Sequence, residues 1–153
     1  MGGRRCDRLA LGALLVIVAA CGGDDGVEPD PAVAPFVGTW DATVYEIWPE
    51  SDPDNVIDVL TGLGPFHISV EPSGQYTAVL EAGLGAQVQI GQLSVIGSTI
   101  RQDVTTPPGE PPATATCQFT ADDYLVLDGP TEFDFNFDGT DEAAHAHIEL
   151  QRR

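Results

Sequence analysis

The chain has 153 residues and carries 24 acidic side chains against six basic ones, none of which is a lysine, so its formal net charge is −18. This balance argues against binding to nucleic acid or to an anionic membrane surface by charge, because both require clustered cations. The acidity is explained most simply by solubility or a salty habitat. The alternative is that it attracts cations or a basic protein partner.

The first twenty residues are typical of a secretory signal peptide. Three arginines, at positions 4, 5 and 8, precede an uninterrupted run of twelve small and apolar residues at 9–20. The run is shorter than the stretch of about 20 residues that a transmembrane helix needs. It ends in Val18-Ala19-Ala20-Cys21, which resembles the bacterial lipobox.

That resemblance implies cleavage before Cys21 and attachment of a diacylglyceryl group to its thiol. The alternative is an ordinary signal peptide in which Cys21 is incidental. We expect a protein anchored by lipid in the bacterial cell envelope, at the outer membrane and facing the periplasm. Removal of residues 1–20 takes away three arginines and one aspartate, which leaves three basic residues against 23 acidic ones and a net charge of −20. Cys117 is then left without an intrachain disulfide partner, and we expect it to be a small buried residue.

The mature chain divides into a linker at residues 21–34 and one domain at residues 35–153. The linker is rich in glycine, proline and acidic residues and has little to bury, which is typical of a flexible tether. Its thirteen residues after Cys21 reach at most about 40 Å when fully extended.

From Phe36 onward, apolar and polar residues alternate, as they do in strands with one buried and one solvated face. The clearest alternating sets are Trp40, Ala42 and Val44; Phe66, Ile68 and Val70; Tyr76, Ala78 and Leu80; Val88 and Ile90; Leu125 and Leu127; Phe133, Phe135 and Phe137; and Ile148 and Leu150. Residues 55–60 fit either a helical turn or two, or a strand.

Short turn sequences separate these strands at residues 71–74, 97–98, 121–123 and 138–141, and one longer Pro-rich break falls at 106–112. Short connections join strands that are antiparallel and paired in sequence order. An antiparallel meander without helices avoids exposed edges by closing on itself. The predicted fold is therefore all-β, an up-and-down barrel of about eight to ten strands.

Two changes of parity predict β-bulges or sharp bends. In the first strand the apolar side chains lie at even positions up to Val44 and at odd positions from Tyr45. In the strand around Gly91 they change from even positions, ending at Ile90, to odd positions, beginning at Leu93.

Phe36-Val37-Gly38-Thr39-Trp40 opens the meander and resembles the Gly-x-Trp start of lipocalin-like proteins. Residues 133–152 likewise resemble the last hairpin of small lipocalin-like lipoprotein domains. The resemblance implies that Gly38, Trp40 and a C-terminal arginine, Arg152 or Arg153, close one end of the barrel through a cation–π contact. It also implies binding of a small apolar or amphipathic ligand.

Asp134, Asn136, Asp138 and Gly139 match the first half of a calcium loop. Position twelve is His145, where a bidentate glutamate is required, so a hairpin with acids on its solvated face is favoured over a weak calcium site.

His145 and His147 share one face of a strand, and with His67 they form an alternative metal site. We favour solvent-facing histidines, because alanines and Ile148 occupy the opposite face. Glu46 is interpreted as a solvated residue beyond the first bulge, the alternative being a ligand-orienting carboxylate inside the barrel.

No nucleophile elbow, phosphate loop or strong metal spacing is present in the sequence, so we expect neither an enzyme nor a cofactor. The leading hypothesis is a monomeric binding protein that holds a small apolar or amphipathic ligand in the barrel mouth. The alternative, from a different class, is an envelope interaction module, an inhibitor or assembly partner, with a solid core and an acidic outer surface.

Overall fold

The computed structural model describes residues 30–83, 85–121 and 123–153, and the structural statements below concern these residues. The predicted signal peptide, Cys21 and residues 22–29 of the predicted linker lie outside them. In these three ranges, no helix combines the length and the apolar character that crossing a lipid bilayer would require.

The described chain is built from nine strands and two very short helices. A 3₁₀ turn at Ala34–Phe36 precedes β1 (Gly38–Pro49), and β2 (Ile57–Asp58) leads into the single helical turn α1 (Val59–Gly62). The remaining strands are β3 (Phe66–Val70), β4 (Gln75–Ala82), β5 (Gly85–Ile96), β6 (Thr99–Thr106), β7 (Ala113–Ala121), β8 (Tyr124–Phe133) and β9 (Glu142–Arg152).

Eight of these strands form a closed barrel. The order is β1-β3-β4-β5-β6-β7-β8-β9, every neighbouring pair is antiparallel, and β9 pairs back onto β1. The short β2 pairs with β1 at Glu46 and Ile47 as an extra strand. The predicted all-β, up-and-down closed barrel of eight to ten strands is confirmed.

The first predicted bulge is present in β1. The register between β1 and β9 shifts between Ala42 and Val44, so that Ala42 packs against the core from one side of the bulge and Tyr45 and Ile47 do so from the other. The bulge lets both halves of the strand contribute side chains to the interior while the strand curves, whereas Val44, opposite Glu149, lies on the outer face.

The second predicted parity change is wrong in its detail. A register shift does occur at Ile90 and Gly91, but the extra residue is Thr105 on the neighbouring strand β6. Strand β5 itself keeps one parity, because Gln87 and Gln89 pair with Leu80 and Ala78 and join them around the interior cavity.

The apolar core fills the end of the barrel where β1 begins. Phe36, Trp40 and Tyr76 are its largest members, and it is completed by Val33, Ile68, Val70, Ala78, Leu93, Ile100, Leu125, Leu127 and Leu150. Gly91 adjoins this core, and a side chain does not fit at its position. A Cβ there would overlap the carbonyl oxygen of Asp103 and lie 2.8 Å from the ring of Tyr76. We call this end of the barrel the floor.

The opposite end, which we call the mouth, is covered on one side only. There Val59 of α1 packs against Ile47 and Ala144, and Phe133 and Phe135 contact the same cluster. Within residues 55–60, Ile57 and Asp58 form the strand β2, residues 59–60 begin the helical turn α1, and residues 55–56 belong to neither. That turn is capped by the Asp58 side chain, which accepts a hydrogen bond from the backbone N–H of Thr61 at 3.1 Å.

The assignment of Phe135 and Phe137 to a strand is wrong, because β8 ends at Phe133. The following loop is held by side chains that bond its backbone. Glu142 accepts from the Phe135 N–H at 2.9 Å, and Asp134 accepts from the Gly139 N–H at 2.8 Å. Phe137 has φ 57° and is 81% exposed, so the period-two pattern did not correspond to alternate faces of a sheet.

Candidate functional site

The floor is closed by a tryptophan and an arginine from opposite ends of the domain. Trp40 is buried, and its indole N–H donates to the carbonyl of Phe36 at 2.8 Å. The guanidinium carbon of Arg152 lies 4.1 Å from the Trp40 ring centroid, within the range of a cation–π contact. Arg152 also donates to the carbonyl of Val37 and, at 2.8 Å, to that of Pro35.

Of the two arginines that the family resemblance offered for this role, the structure places Arg152 there. Arg153 lies on the surface and pairs with Asp41 through two hydrogen bonds of 2.7 and 3.0 Å. Gly38 lies beside Arg152 with φ 130°, and a Cβ at this position would come within 3.0 Å of the Arg152 Nη1 atom. Both its conformation and its neighbour therefore favour glycine.

Above the floor the barrel interior is open rather than filled. A cavity of about 630 Å³ begins over Ile68, Leu127 and Leu150 and reaches the mouth at Pro107 and Glu110. Its volume is within the range of roughly 300–1,000 Å³ that is usual for small-molecule sites. The barrel thus belongs to those that leave room for one ligand, in contrast to those whose side chains occupy all of the interior.

The cavity wall is mainly apolar, with neutral polar groups distributed within it. Apolar side chains come from five strands and the loop after β6: Phe66, Ile68, Ala78, Leu80, Pro107, Ala113, Leu127, Ile148 and Leu150. The polar lining consists of Tyr45, Gln87, Gln89, Gln102, Thr106 and Thr131, with Glu110 at the mouth.

Two tyrosines mark the depth of the site. Tyr45 packs edge-on against Phe66 with ring centroids 5.3 Å apart, and burial raises the pKa of its phenol. Deeper in, the hydroxyl of Tyr76 donates to Oε1 of Gln89 at 3.1 Å. Burial, assisted by the negative charge of Asp103, raises the pKa of Tyr76 to about 12. Both phenols are therefore neutral donors at neutral pH.

Sequence reasoning placed several apolar residues inside the barrel but did not predict which residues line this cavity. The assumption that apolar residues of β5 point inward assigned Val88 to the interior and its glutamine neighbours to solvent. In the structure Val88 is 44% exposed, and Gln87 and Gln89 line the cavity. A useful signal was the regular spacing of glutamines at 87 and 89, in phase with the core residue Leu93.

The histidines lie on the outer wall. His147 Nδ1 is 2.7 Å from Asp128 Oδ1, and His145 Nε2 is 3.8 Å from the same oxygen. The hydrogen bond to Asp128, reinforced by the charges of Asp128 and Glu149, raises the pKa of His147. His67 is paired with Asp41 of β1, whereas His147 is paired with Glu46, which lies further along the same strand. The three histidines are not brought together, and within the described part of the chain no cluster of three or more metal-ligating side chains occurs.

The acidic loop after β8 uses its side-chain oxygens to hold its own backbone. Asp134 and Asn136 both accept from the N–H of Asp138, at 3.1 and 2.9 Å, and Asp138 accepts from the N–H of Thr140 at 2.9 Å. These are bonds of the kind that Asp and Asn make in tight turns. The pattern that matched half of a calcium loop is accounted for by this network.

Two further sequence candidates take structural positions. Glu46 lies on the outer face of β1, since its neighbours Tyr45 and Ile47 point inward and its register partners are His147 and Asp58. Cys117 is half-buried against the floor core, and burial raises the pKa of its thiol, which disfavours the reactive thiolate form.

No model of a known protein family and no curated protein sequence matches this chain. The closed eight-stranded antiparallel barrel is compatible with the lipocalin-like resemblance of residues 36–40.

Proposed function

We propose that this protein is a lipid-anchored protein of the bacterial envelope whose barrel carries one small apolar or amphipathic ligand. The observation that carries the proposal is the cavity of about 630 Å³ above a closed floor. Its wall is mostly apolar, and it opens at one end of the barrel only, because Arg152 and Trp40 obstruct the other.

The expected affinity follows from the apolar wall. Each buried methylene of an alkyl ligand contributes about 0.8 kcal/mol, and a net free energy of about 8 kcal/mol corresponds to a micromolar dissociation constant. About fifteen buried methylenes therefore supply about 12 kcal/mol, and about 8 kcal/mol remains after the loss of translational and rotational freedom on binding, which costs at least about 4 kcal/mol.

Ligand binding is tested by titrating the purified protein with a fluorescent apolar probe whose emission rises in a dry environment. We expect saturable, stoichiometric binding at micromolar concentration. Ala78 lines the cavity on β4, so Ala78→Phe should weaken binding at least tenfold. Val79→Phe on the outer face of the same strand is the matched control, and it should retain the wild-type affinity.

Thermal unfolding of both variants shows whether each one is folded. A folded wild-type protein that binds no apolar probe would refute the carrier function. It would leave the alternative of an interaction module with an acidic surface, which affinity capture of envelope proteins would then test.

Anchoring is supported by the lipobox-like sequence that ends at Cys21. It is tested by metabolic labelling of the expressed full chain with an alkyne fatty acid, followed by membrane fractionation. The wild type should be labelled and sediment with the outer membrane, whereas Cys21→Ser should lose the label. A Cys117→Ser control should keep it. Labelling that persists in Cys21→Ser would contradict the anchor assignment.

A further inference from the structure

The cavity wall has many groups that form hydrogen bonds but very few that carry a charge. Among the residues that line it, several donate or accept hydrogen bonds, and Glu110 at the mouth is the single carboxylic or basic side chain. A ligand that enters this site therefore meets neutral partners once it has passed the mouth.

The positive charges of the described chain are all held elsewhere. Arg101 is exposed and makes a bidentate pair with Asp103, at 2.7 Å to Oδ1 and 3.1 Å to Oδ2. Arg153 pairs with Asp41 on the surface, and Arg152 is below the floor, on the far side of the core. His145 and His147 are on the outer wall, where they contact acidic residues.

An anionic head group would therefore have no counter-ion inside the barrel. An ionised carboxylate moved out of water without a partner loses several kcal/mol of solvation free energy. Glu110 and the strongly negative net charge of the chain add repulsion along the approach to the mouth.

The neutral groups are well suited to an uncharged head group. Gln87, Gln89 and Gln102 each carry an amide that both donates and accepts. The Oε1 atom of Gln89 accepts from Tyr76 at 3.1 Å, which turns the amide so that its NH₂ remains for another partner. Thr106 and Thr131 add hydroxyls nearer the mouth.

From these observations we propose that the cavity selects amphiphiles with an uncharged head group, such as an alcohol, amide or ester on an alkyl chain, and excludes anionic amphiphiles such as fatty-acid carboxylates. The proposal rests on the carrier function described above and narrows it to one class of ligand. We therefore expect the protein to distinguish a carboxylate from its ester by charge, although the two share the same alkyl chain.

The test is a competition series with one alkyl chain and four head groups. Each compound is titrated as a competitor against the fluorescent apolar probe bound to the purified protein, at neutral pH and below its micelle-forming concentration. The four compounds are tetradecanol, methyl tetradecanoate, tetradecanoate and tetradecylammonium. We expect the alcohol and the ester to bind at least tenfold more tightly than the carboxylate. Equal or tighter binding of the carboxylate would overturn the proposal, as would tighter binding of the ammonium compound than of the alcohol.

Charge variants make the test independent of ligand solubility. Gln102→Arg places a cation in the cavity wall and should raise carboxylate affinity at least tenfold while leaving alcohol affinity unchanged or lower. Gln89→Arg is a second variant with the same expected effect, should the first one fold poorly. Gln118→Arg adds the same charge on the exposed outer face of β7 and should change the carboxylate affinity less than threefold.

The outcomes separate this proposal from the function on which it rests. If neither the probe nor any of the four compounds binds to the folded protein, the carrier function is wrong. If all four compounds bind alike, the carrier function stands and the selection by charge is wrong. A Gln118→Arg variant that rescues the carboxylate as well as Gln102→Arg does would show that net charge, and not the cavity wall, determines the selection.

Discussion

Replacing Arg152 with methionine should destabilise the barrel far more than the same change at its neighbour Arg153. The Arg152 guanidinium lies on the Trp40 ring and donates to two backbone carbonyls, those of Val37 and Pro35. A cation–π contact is worth about 0.5–2 kcal/mol, and a hydrogen bond to a charged group about 1.5–3 kcal/mol. Because the side chain is 29% exposed, the lower end of these ranges applies, and we expect a loss of about 2–4 kcal/mol.

Arg153→Met is the matched control, since it removes the same charge one residue later. Arg153 is 66% exposed and pairs with an exposed Asp41, an interaction worth at most about 1 kcal/mol. For a domain of this size 1 kcal/mol shifts the melting temperature by roughly 4 °C, so the expected shifts are about 8–16 °C for Arg152→Met and at most about 4 °C for Arg153→Met. Urea and thermal denaturation followed by far-UV circular dichroism measure both. Equal shifts would refute the role assigned to the floor contact.

Three further changes test other parts of the structure. Gly91→Ala should cost at least about 1–3 kcal/mol in urea denaturation, because its Cβ overlaps the backbone of β6 and the ring of Tyr76; a neutral effect would contradict the close approach. The raised pKa of His147 stabilises the fold below about pH 6.5, and that contribution is lost as pH rises through the folded-state pKa. The free energy of unfolding should therefore fall between about pH 6 and pH 8, and His147→Gln or Asp128→Asn should flatten this dependence; an unchanged slope in both would contradict the pairing. Phe137→Gly should raise the melting temperature by a few degrees, since the exposed Phe137 has an unfavourable φ that costs roughly 1–2 kcal/mol; a clear decrease would show that the ring has a packing partner.

The closed barrel followed from the sequence because its signals are local. Alternating residues mark each strand, and a tight turn such as that at 71–74, where the Gly74 N–H donates to the Glu71 carbonyl at 2.8 Å, fixes the pairing of its two neighbours. The bulge in β1 was readable for the same reason, since a bulge moves every later side chain of its strand to the other face. The sequence placed it between Val44 and Tyr45, whereas the register shifts between Ala42 and Val44.

The cavity did not follow from the sequence, because the rule that apolar residues face inward holds only where the interior is filled. In the upper half of the barrel the interior is open, so Gln87 and Gln89 can face it and Val88 can face solvent. Which half of each strand adjoins the cavity depends on how far the floor core reaches. That height is set jointly by side chains from several strands and is not encoded in any one of them.

The position of the chain entry shows which end of the barrel is joined to the proposed anchor. The described chain enters the barrel under the floor, where Phe36 joins the core and Arg152 bonds Pro35, and the mouth lies at the other end. Twelve residues of β1 at about 3.3 Å each, tilted as barrel strands are, separate the two ends by roughly 30 Å. A lipid on Cys21 would therefore be joined to the chain at the blind end. The predicted flexible linker, with a reach of up to about 40 Å, is longer than the barrel, so the proposed carrier would be free to turn and to exchange ligand with the anchoring bilayer as well as with the aqueous side.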